Sequence, residues 1–383
     1  MRPVFASLAG QQRVIDALTR EVDAGNPTHA WLFTGPPGSG RSTAARAFAA
    51  ALECTSSPAG CGSCQGCVSV LEGRHPDVTF VSTQKVAYQI DDVRELIGRA
   101  QERAGQGRWR IIIIEDADRM TERTTNVLLK AIEEPPERMI WLLCAPSPAD
   151  VLVTIRSRCR SVGLAIPSTA EVASLLIERD GVAPELAEFA ARAAQSHIGV
   201  ARLLARDPAA RDRREKVVFL PLRMSTLPQA MSAAADIVAL ANENAEAITG
   251  EQLAQQTAAL RHTTGLSEDE PIPPNLRSQF KALEETAKRQ ARRATFDALD
   301  RTLIDLTTFF RDVLSIQLGS QVELVNEHRR EDIEHYARAQ RSEKTLSQID
   351  AINETRRRLS ANVAPLLALE ALMTRLLANP ARR

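Results

Sequence analysis

The octapeptide Gly35-Pro36-Pro37-Gly38-Ser39-Gly40-Arg41-Ser42 constrains this chain most. It follows the apolar run Ala30-Trp31-Leu32-Phe33, read as a buried strand, and leads into a helix predicted over Ser42 to Leu52. Strand, glycine-rich turn and helix in that order make a phosphate-binding loop of the pattern G-x-x-x-x-G-K-[ST]. Glycines let backbone N–H groups turn inward at a helix N-terminus, where they and the helix dipole favour an anion. Gly35, Gly38 and Gly40 hold the glycine positions, and the Ser42 hydroxyl is placed for Mg²⁺. The departure is Arg41 where the pattern has Lys. Lys is a compact charge that fits between phosphates, whereas Arg carries a wider planar fork. Loss of efficient hydrolysis is the expectation, with ATP and Mg²⁺ binding left open because the backbone supplies much of the cradle.

Around this loop the pattern alternates. Val14, Ile15, Leu18 and Val22 form a helical stripe that stops at Gly25. Val78–Val81, Ile111–Ile114 and Ile140–Cys144 read as strands. Val93, Leu96, Ile97 and Ala100, and then residues 121–134, read as helices, the last stopped by Pro135-Pro136. Strands alternating with helices imply a parallel sheet covered on both faces. From Ser168 to Arg206 three short helices are expected, punctuated at Gly181 and Gly199. Beyond Asp207-Pro208 the chain reads as helical, with a mobile break expected over 262–275 around Gly265, Glu268, Asp269, Glu270 and Pro271. Phe296, Leu299, Leu303, Leu306, Phe310 and Val313 make a bundle-type seam. The domains expected are 1–166, 167–208 and 209–383.

Two further groups carry chemistry. The strand Arg110–Ile114 ends in Glu115-Asp116, where carboxylates beside a phosphate loop hold Mg²⁺ and orient water. The Glu-then-Asp order lengthens the first and shortens the second, displacing either by about 1 Å. Cys54-x6-Cys61-x2-Cys64-x2-Cys67 offers four thiolates, with Cys61, Cys64 and Cys67 in a tight glycine-containing knuckle. A closed four-cysteine set suits structural Zn²⁺, with an iron–sulfur cluster as the competing occupant. Cys144 reads as core.

Composition narrows the function classes. Of 383 residues, 48 are basic and 48 acidic, so no global charge pulls the chain toward nucleic acid or membrane. The 42 Arg against 6 Lys leave drift toward Arg as the other account of position 41. Aromatics at 4% argue against base-stacking platforms. No apolar run has membrane length, and the N-terminus lacks a signal-peptide core, so the expectation is cytoplasmic.

The order of phosphate loop, four-Cys module, acidic strand, Leu128-Leu129-Lys130-Ala131-Ile132-Glu133-Glu134-Pro135-Pro136 and Ser157-Arg158-Cys159 resembles the AAA+ clamp-loader subunits of bacterial DNA polymerase III. The likeness covers residues 1–208, and the remainder in architecture. It implies an α/β AAA+ domain with a zinc module, a three-helix lid and a C-terminal helical collar. It also implies a place in a ring with gamma/tau and delta that loads the sliding β clamp on primer-template DNA, without membrane or small-molecule substrate. Arg41 and Ala145, which stands where the motor subunits carry a polar γ-phosphate sensor, point to the delta-prime branch with its degenerate site. Arg202 resembles the lid sensor arginine, reaching a phosphate or pinning the lid to the sheet. Arg158 resembles the arginine finger that acts in trans on ATP of a neighbouring subunit. Leu152 and Ile155 are expected to point inward and the nearby arginines outward. The alternatives are an active gamma/tau-like ATPase and a zinc-dependent DNA-binding protein.

Overall fold

The computed structural model describes residues 2–377 except 84–86, 106, 265, 268–269, 275 and 362. The chain forms two compact units, Met1–Asp207 and Pro208–Arg383.

In the first unit five strands form one parallel sheet in the order β2-β3-β4-β1-β5: β1 Ala30–Thr34, β2 Val78–Val81, β3 Arg110–Ile114, β4 Met139–Ala145 and β5 Arg160–Gly163. Helices connect them: α1 Gln12–Ala24, α2 Arg41–Leu52, α3 Gln65–Leu71, α4 Ile90–Gln101, α5 Glu122–Glu133 and α6 Val153–Arg156. Alternation along the strands decides which helices cover which face. Trp31, Phe33, Ile111, Ile113 and Cys144 pack with Phe48 of α2 on one side. Leu32, Ile112, Ile114, Trp141 and Leu143 pack with Leu128 and Ile132 of α5 on the other. Cys144 is therefore core, as the sequence implies.

β5 is absent from the sequence reading. It is an edge strand in which Val162 alone is buried, so it has no apolar run to announce it. A helical α1 ending at Gly25, which adopts φ +68°, matches the expected stop.

Three helices complete this unit: α7 Thr169–Asp180, α8 Pro184–Ala193 and α9 Ile198–Arg206. Ser168 and Glu171 form a capping box at the start of α7, and Gly181 ends it in the left-handed region. Gly199, expected to break a helix, lies inside α9. The break falls instead at Gln195 and Ser196, which adopt φ +49° and +63°. Positive φ is uncommon outside glycine, so no residue type in the sequence announces a break there. The Gln195 and Ser196 backbone N–H groups bond the Arg192 and Ala191 carbonyls at 2.9 and 3.0 Å, closing the end of α8.

The second unit is all helical: α10 Pro208–Val218, α11 Leu227–Thr264, α12 Arg277–Gln317, α13 Arg330–Ala339, α14 Ser342–Ser360 and α15 Pro365–Leu376. The seam on α12 buries Leu299, Leu303, Leu306, Phe310 and Val313, with Phe296 half-buried beside them. Its core also holds charge. The Arg214 guanidinium meets Asp305, Thr308 and Asn326, while Asp312 accepts from the Val325 and Asn326 backbone N–H groups at 2.9 and 2.8 Å. The break between α11 and α12 matches the expected interruption; Gly265, Glu268 and Asp269 lie outside the described residues. Among the described residues no helix is long and apolar enough to cross a membrane.

A parallel sheet with a glycine-rich turn between β1 and α2, three further helices in the same unit and an all-helical second unit agree with the α/β-plus-helical organisation that the sequence implies.

Candidate functional site

Register brings the phosphate loop and the acidic strand end together. Thr34, the last residue of β1, pairs with Ala145 of β4, and Leu143 of β4 pairs with Ile114 of β3. The loop after β1 and the acids after β3 therefore flank the carboxyl end of β4, where ligands sit in open parallel sheets. Beside the loop a cleft of about 620 Å³ is lined by Gly38, Gly40, Arg41, Ser42, Arg46 and, from the lid, Arg179, His197 and Arg202; Glu115, Asp116 and Ala145 do not line it.

The loop keeps its backbone form. Gly40 caps α2 at φ +90°, a conformation that favours glycine. Gly38 adopts φ +86°, and a Cβ there would stand 2.6 Å from the His197 ring. The Ser39 hydroxyl is buried and makes no hydrogen bond among the described residues. Arg41, however, turns its guanidinium back onto the Gly35 carbonyl of its own loop.

The acids are also engaged. Arg46, one helical turn beyond the loop, lies 3.5 Å from Glu115 and stacks 4.2 Å from the centre of the Phe80 ring. Arg119 is 3.9 Å from Asp116. Burial, reinforced by nearby Asp116, raises the pKa of Asp118. Burial and then the Glu115 charge push the Cys144 thiol up to about 12. Turned-in glycines, an unsatisfied hydroxyl and several cationic side chains fit a phosphate group. The fit to Mg²⁺ is poorer, because both carboxylates that would face the metal already meet arginines.

Arg202 lines the cleft but is anchored inside the lid. Its Nε and Nη2 donate to the two oxygens of Asp180 at 2.7 and 3.0 Å, and Arg206 adds a third bond to the same carboxylate at 2.7 Å. It pins α9 to α7, not to the sheet. Burial would raise Asp180, but the Arg202 hydrogen bonds and the Arg202 and Arg206 charges outweigh it and hold the carboxyl below its usual range. Asp180 is 2% exposed by side-chain area, so this is a desolvated, bidentate pair of the strong kind.

At the far end of α2 the four cysteines converge. Their sulfurs all lie within 4.8 Å of one another, with Cys54 to Cys61 at 3.7 Å and Cys64 to Cys54 at 3.8 Å. A tetrahedral ion with thiolate bonds of about 2.3 Å needs sulfurs about 3.8 Å apart. Backbone N–H groups already point at the sulfurs: Cys61 at Cys54, Cys64 at Cys61 and Cys67 at Cys64, at 3.5, 3.3 and 3.5 Å. Hydrogen bonding from Ser56 and Ser63 lowers the Cys61 thiol to about 5. Burial opposes ionisation of Cys64, yet donors from Cys67 and Thr55 bring it to about 7. Burial pushes Cys67 up. The cluster could hold a metal ion. The knuckle is shorter than the sequence suggests: Cys64 caps α3 and Cys67 lies in its first turn. Glu53, just before the cluster, is buried and accepts from the backbone N–H groups of Arg108 and Trp109 at 2.8 and 2.9 Å, tying the module to the loop before β3.

Arg158 follows α6. Ile155 is buried as expected, but Leu152 is 39% exposed and caps the helix from outside. A helix of four residues is too short to bury both. The Arg158 Nε donates to Glu133, the last residue of α5, at 2.5 Å, and Nη1 donates to the Thr154 carbonyl at 2.8 Å and the Ser157 hydroxyl at 3.2 Å. Sequence reasoning missed Arg46, His197, Asp180 and Glu133 as partners. Glu133 had a signal, since it lies in the same short stretch of α5 that carries the family likeness.

Comparison with known proteins agrees with this architecture. Residues 10–167 match a family model described as DNA polymerase III, delta subunit, and residues 279–377 match a model of the C-terminal part of that subunit. The DNA polymerase III subunit delta' of Bacillus subtilis is 27% identical over 354 residues, 92% of each chain. Subunit gamma/tau of Mycobacterium bovis is 39% identical over 157 residues, and subunit tau of Escherichia coli is 34% identical over 159, each 40% of this chain. The chain spans 27% of the M. bovis relative and 24% of the E. coli one.

Proposed function

The chain belongs to the DNA polymerase III clamp-loader family, and from that membership we propose that it is the delta-prime-type, non-motor subunit of the ring. It hydrolyses little or no ATP. It helps load the sliding β clamp on primed DNA alongside gamma/tau and delta subunits in the cytoplasm, and it lends Arg158 to the ATP site of a neighbouring motor subunit. The observation that carries this reading is Arg41. Where a motor needs a cation aimed at phosphate, this side chain is bonded to the carbonyl of its own loop.

The remaining features support it. Ala145, at the end of β4, has no side-chain donor for a γ-phosphate. Glu115 and Asp116 each meet an arginine. A relative matched over 92% of each chain is a delta' subunit. Gly38, Gly40 and Ser42 line the cleft and would hold a nucleotide's phosphates without turning it over, whereas the Gly35 N–H already donates to the Pro146 carbonyl at 3.2 Å and shapes the turn instead. The four cysteines hold Zn²⁺, which locks the 54–67 module to the end of α2.

Arg158 suits a trans role because a guanidinium neutralises charge developing on a transferring phosphoryl group without a base of its own. Such fingers are worth about 10³–10⁵ in rate in favourable cases. The higher identity to gamma/tau over the first unit favours the second reading, an active motor. Steady-state ATPase of the isolated chain separates the two. Turnover near background supports the non-motor reading; about 1–10² s⁻¹, the range of phosphoryl-transfer enzymes, sinks it.

A further inference from the structure

Resting on the trans role of Arg158, we propose that Glu133 is its positioning residue: it holds the guanidinium so that Nη2 alone faces the neighbouring subunit's nucleotide.

A guanidinium has five N–H donors, one on Nε and two on each Nη. In Arg158 the inner three have partners. Nε donates to the Glu133 carboxylate, and the two Nη1 hydrogens have the Thr154 carbonyl and the Ser157 hydroxyl as acceptors. Nη2 donates to nothing among the described residues, and the side chain is 40% exposed. The acceptors come from two directions, the C-terminal end of α5 and the backbone of α6, so together they fix both the plane and the rotation of the fork. An unrestrained arginine has large rotamer freedom. Removing that freedom before the partner arrives is what places a catalytic group within the tolerance that chemistry demands.

Folding gives no comparable reason for the pair. An ion pair this exposed, 40% on one side and 43% on the other, contributes little to stability. Glu133 closes α5, beside Glu134, Pro135 and Pro136. Pro135 and Pro136 cannot extend the helix, so the Glu133 carboxylate stands at a fixed terminus rather than on a fraying turn. Ser157-Arg158-Cys159 and the Glu-Glu-Pro-Pro end of α5 are thus two parts of one device.

The test is the DNA-stimulated ATPase of the reconstituted loader complex containing Arg158→Ala, Glu133→Ala, Glu133→Gln or the Glu133→Ala/Arg158→Ala double variant. The share of kcat that depends on Arg158 is the difference between wild-type and Arg158→Ala complexes. Glu133→Ala should lower that share about three- to tenfold, with KM unchanged. Glu133→Gln keeps an acceptor oxygen and should retain most of it. In the Arg158→Ala background Glu133→Ala should cost nothing further, because Glu133 acts through Arg158. Wild-type kcat in Glu133→Ala, with Arg158→Ala impaired, overturns the positioning role and leaves the finger intact. A faster Glu133→Ala complex makes Glu133 a latch and overturns it too. An equal loss in both backgrounds reduces Glu133 to a general structural residue. No effect of Arg158→Ala removes the finger itself, and the positioning role with it.

Discussion

One helix carries two sites with opposite histories. At the C-terminal end of α2, Cys54 joins a complete donor set whose sulfur separations of 3.7 and 3.8 Å suit a tetrahedral ion. At its N-terminal end the phosphate loop keeps its glycine backbone, while Arg41 bonds its own loop and the acids after β3 meet Arg46 and Arg119. The difference teaches what each site is for. A closed metal cluster contributes to folding directly, so losing one ligand destabilises the whole sheet-bearing unit. A nucleotide pocket contributes turnover, and turnover is lost without unfolding anything. On this account the cysteine end still answers to stability, and the loop end keeps a phosphate cradle without turnover.

The comparison can be broken first at the cysteine end. Cys61→Ser, or removal of metal by a strong chelator, should destabilise the first unit by several kcal/mol and lower its melting temperature by about 10 °C. Metal analysis should return one zinc per wild-type chain. A chain without zinc, or a Cys61→Ser variant that melts like wild type, would dissolve the contrast.

The lid anchor should give a smaller effect. Asp180→Asn removes the shared acceptor of Arg202 and Arg206, and should cost about 1–3 kcal/mol, measured by denaturant unfolding. The sign with pH follows from its lowered pKa. Its stabilisation is complete above the ordinary aspartate range and fades as pH falls through the depressed folded value. Asp180→Asn should therefore narrow the stability difference from wild type in acid, where wild type loses the same interaction. A constant gap from neutral to strongly acid pH would mean that folding leaves the Asp180 pKa unshifted, and would contradict a stabilising pair with Arg202 and Arg206.

The smallest effect belongs to the loop. Arg41→Lys should leave the melting temperature within about 2 °C and ATPase at background. Lys restores one group while Ala145, and the arginines on Glu115 and Asp116, remain. Recovery of turnover by this single change would place the whole defect at Arg41.

Much of this was legible in the chain. The buried strands read correctly because parallel strands covered on both faces are continuous apolar runs, as Ile111–Ile114 is. The convergence of the four cysteines and the glycine turn between β1 and α2 were legible because each lies within one short stretch of sequence. β5 escaped because an edge strand with one buried residue has no such run. Gly199 misled because a glycine marks a break only where the backbone needs a positive φ, and that need fell on Gln195 and Ser196. The pairings Arg46–Glu115, Arg202–Asp180 and Arg158–Glu133 join residues 22 to 69 positions apart, and the buried Arg214–Asp305 contact spans 91. No local pattern encodes such partners; the packing of helices selects them.

The central claim is that this chain spends its chemistry on a neighbour's nucleotide. Its most direct test is clamp loading and DNA-stimulated ATPase by the reconstituted complex carrying Arg158→Ala, with zinc content and ring assembly checked in the same preparation. The account predicts an intact, zinc-loaded ring whose clamp loading and ATPase both fall as one motor site goes silent. An intact ring that loads clamps and turns over ATP at the wild-type rate would contradict it and leave Arg158 as surface charge.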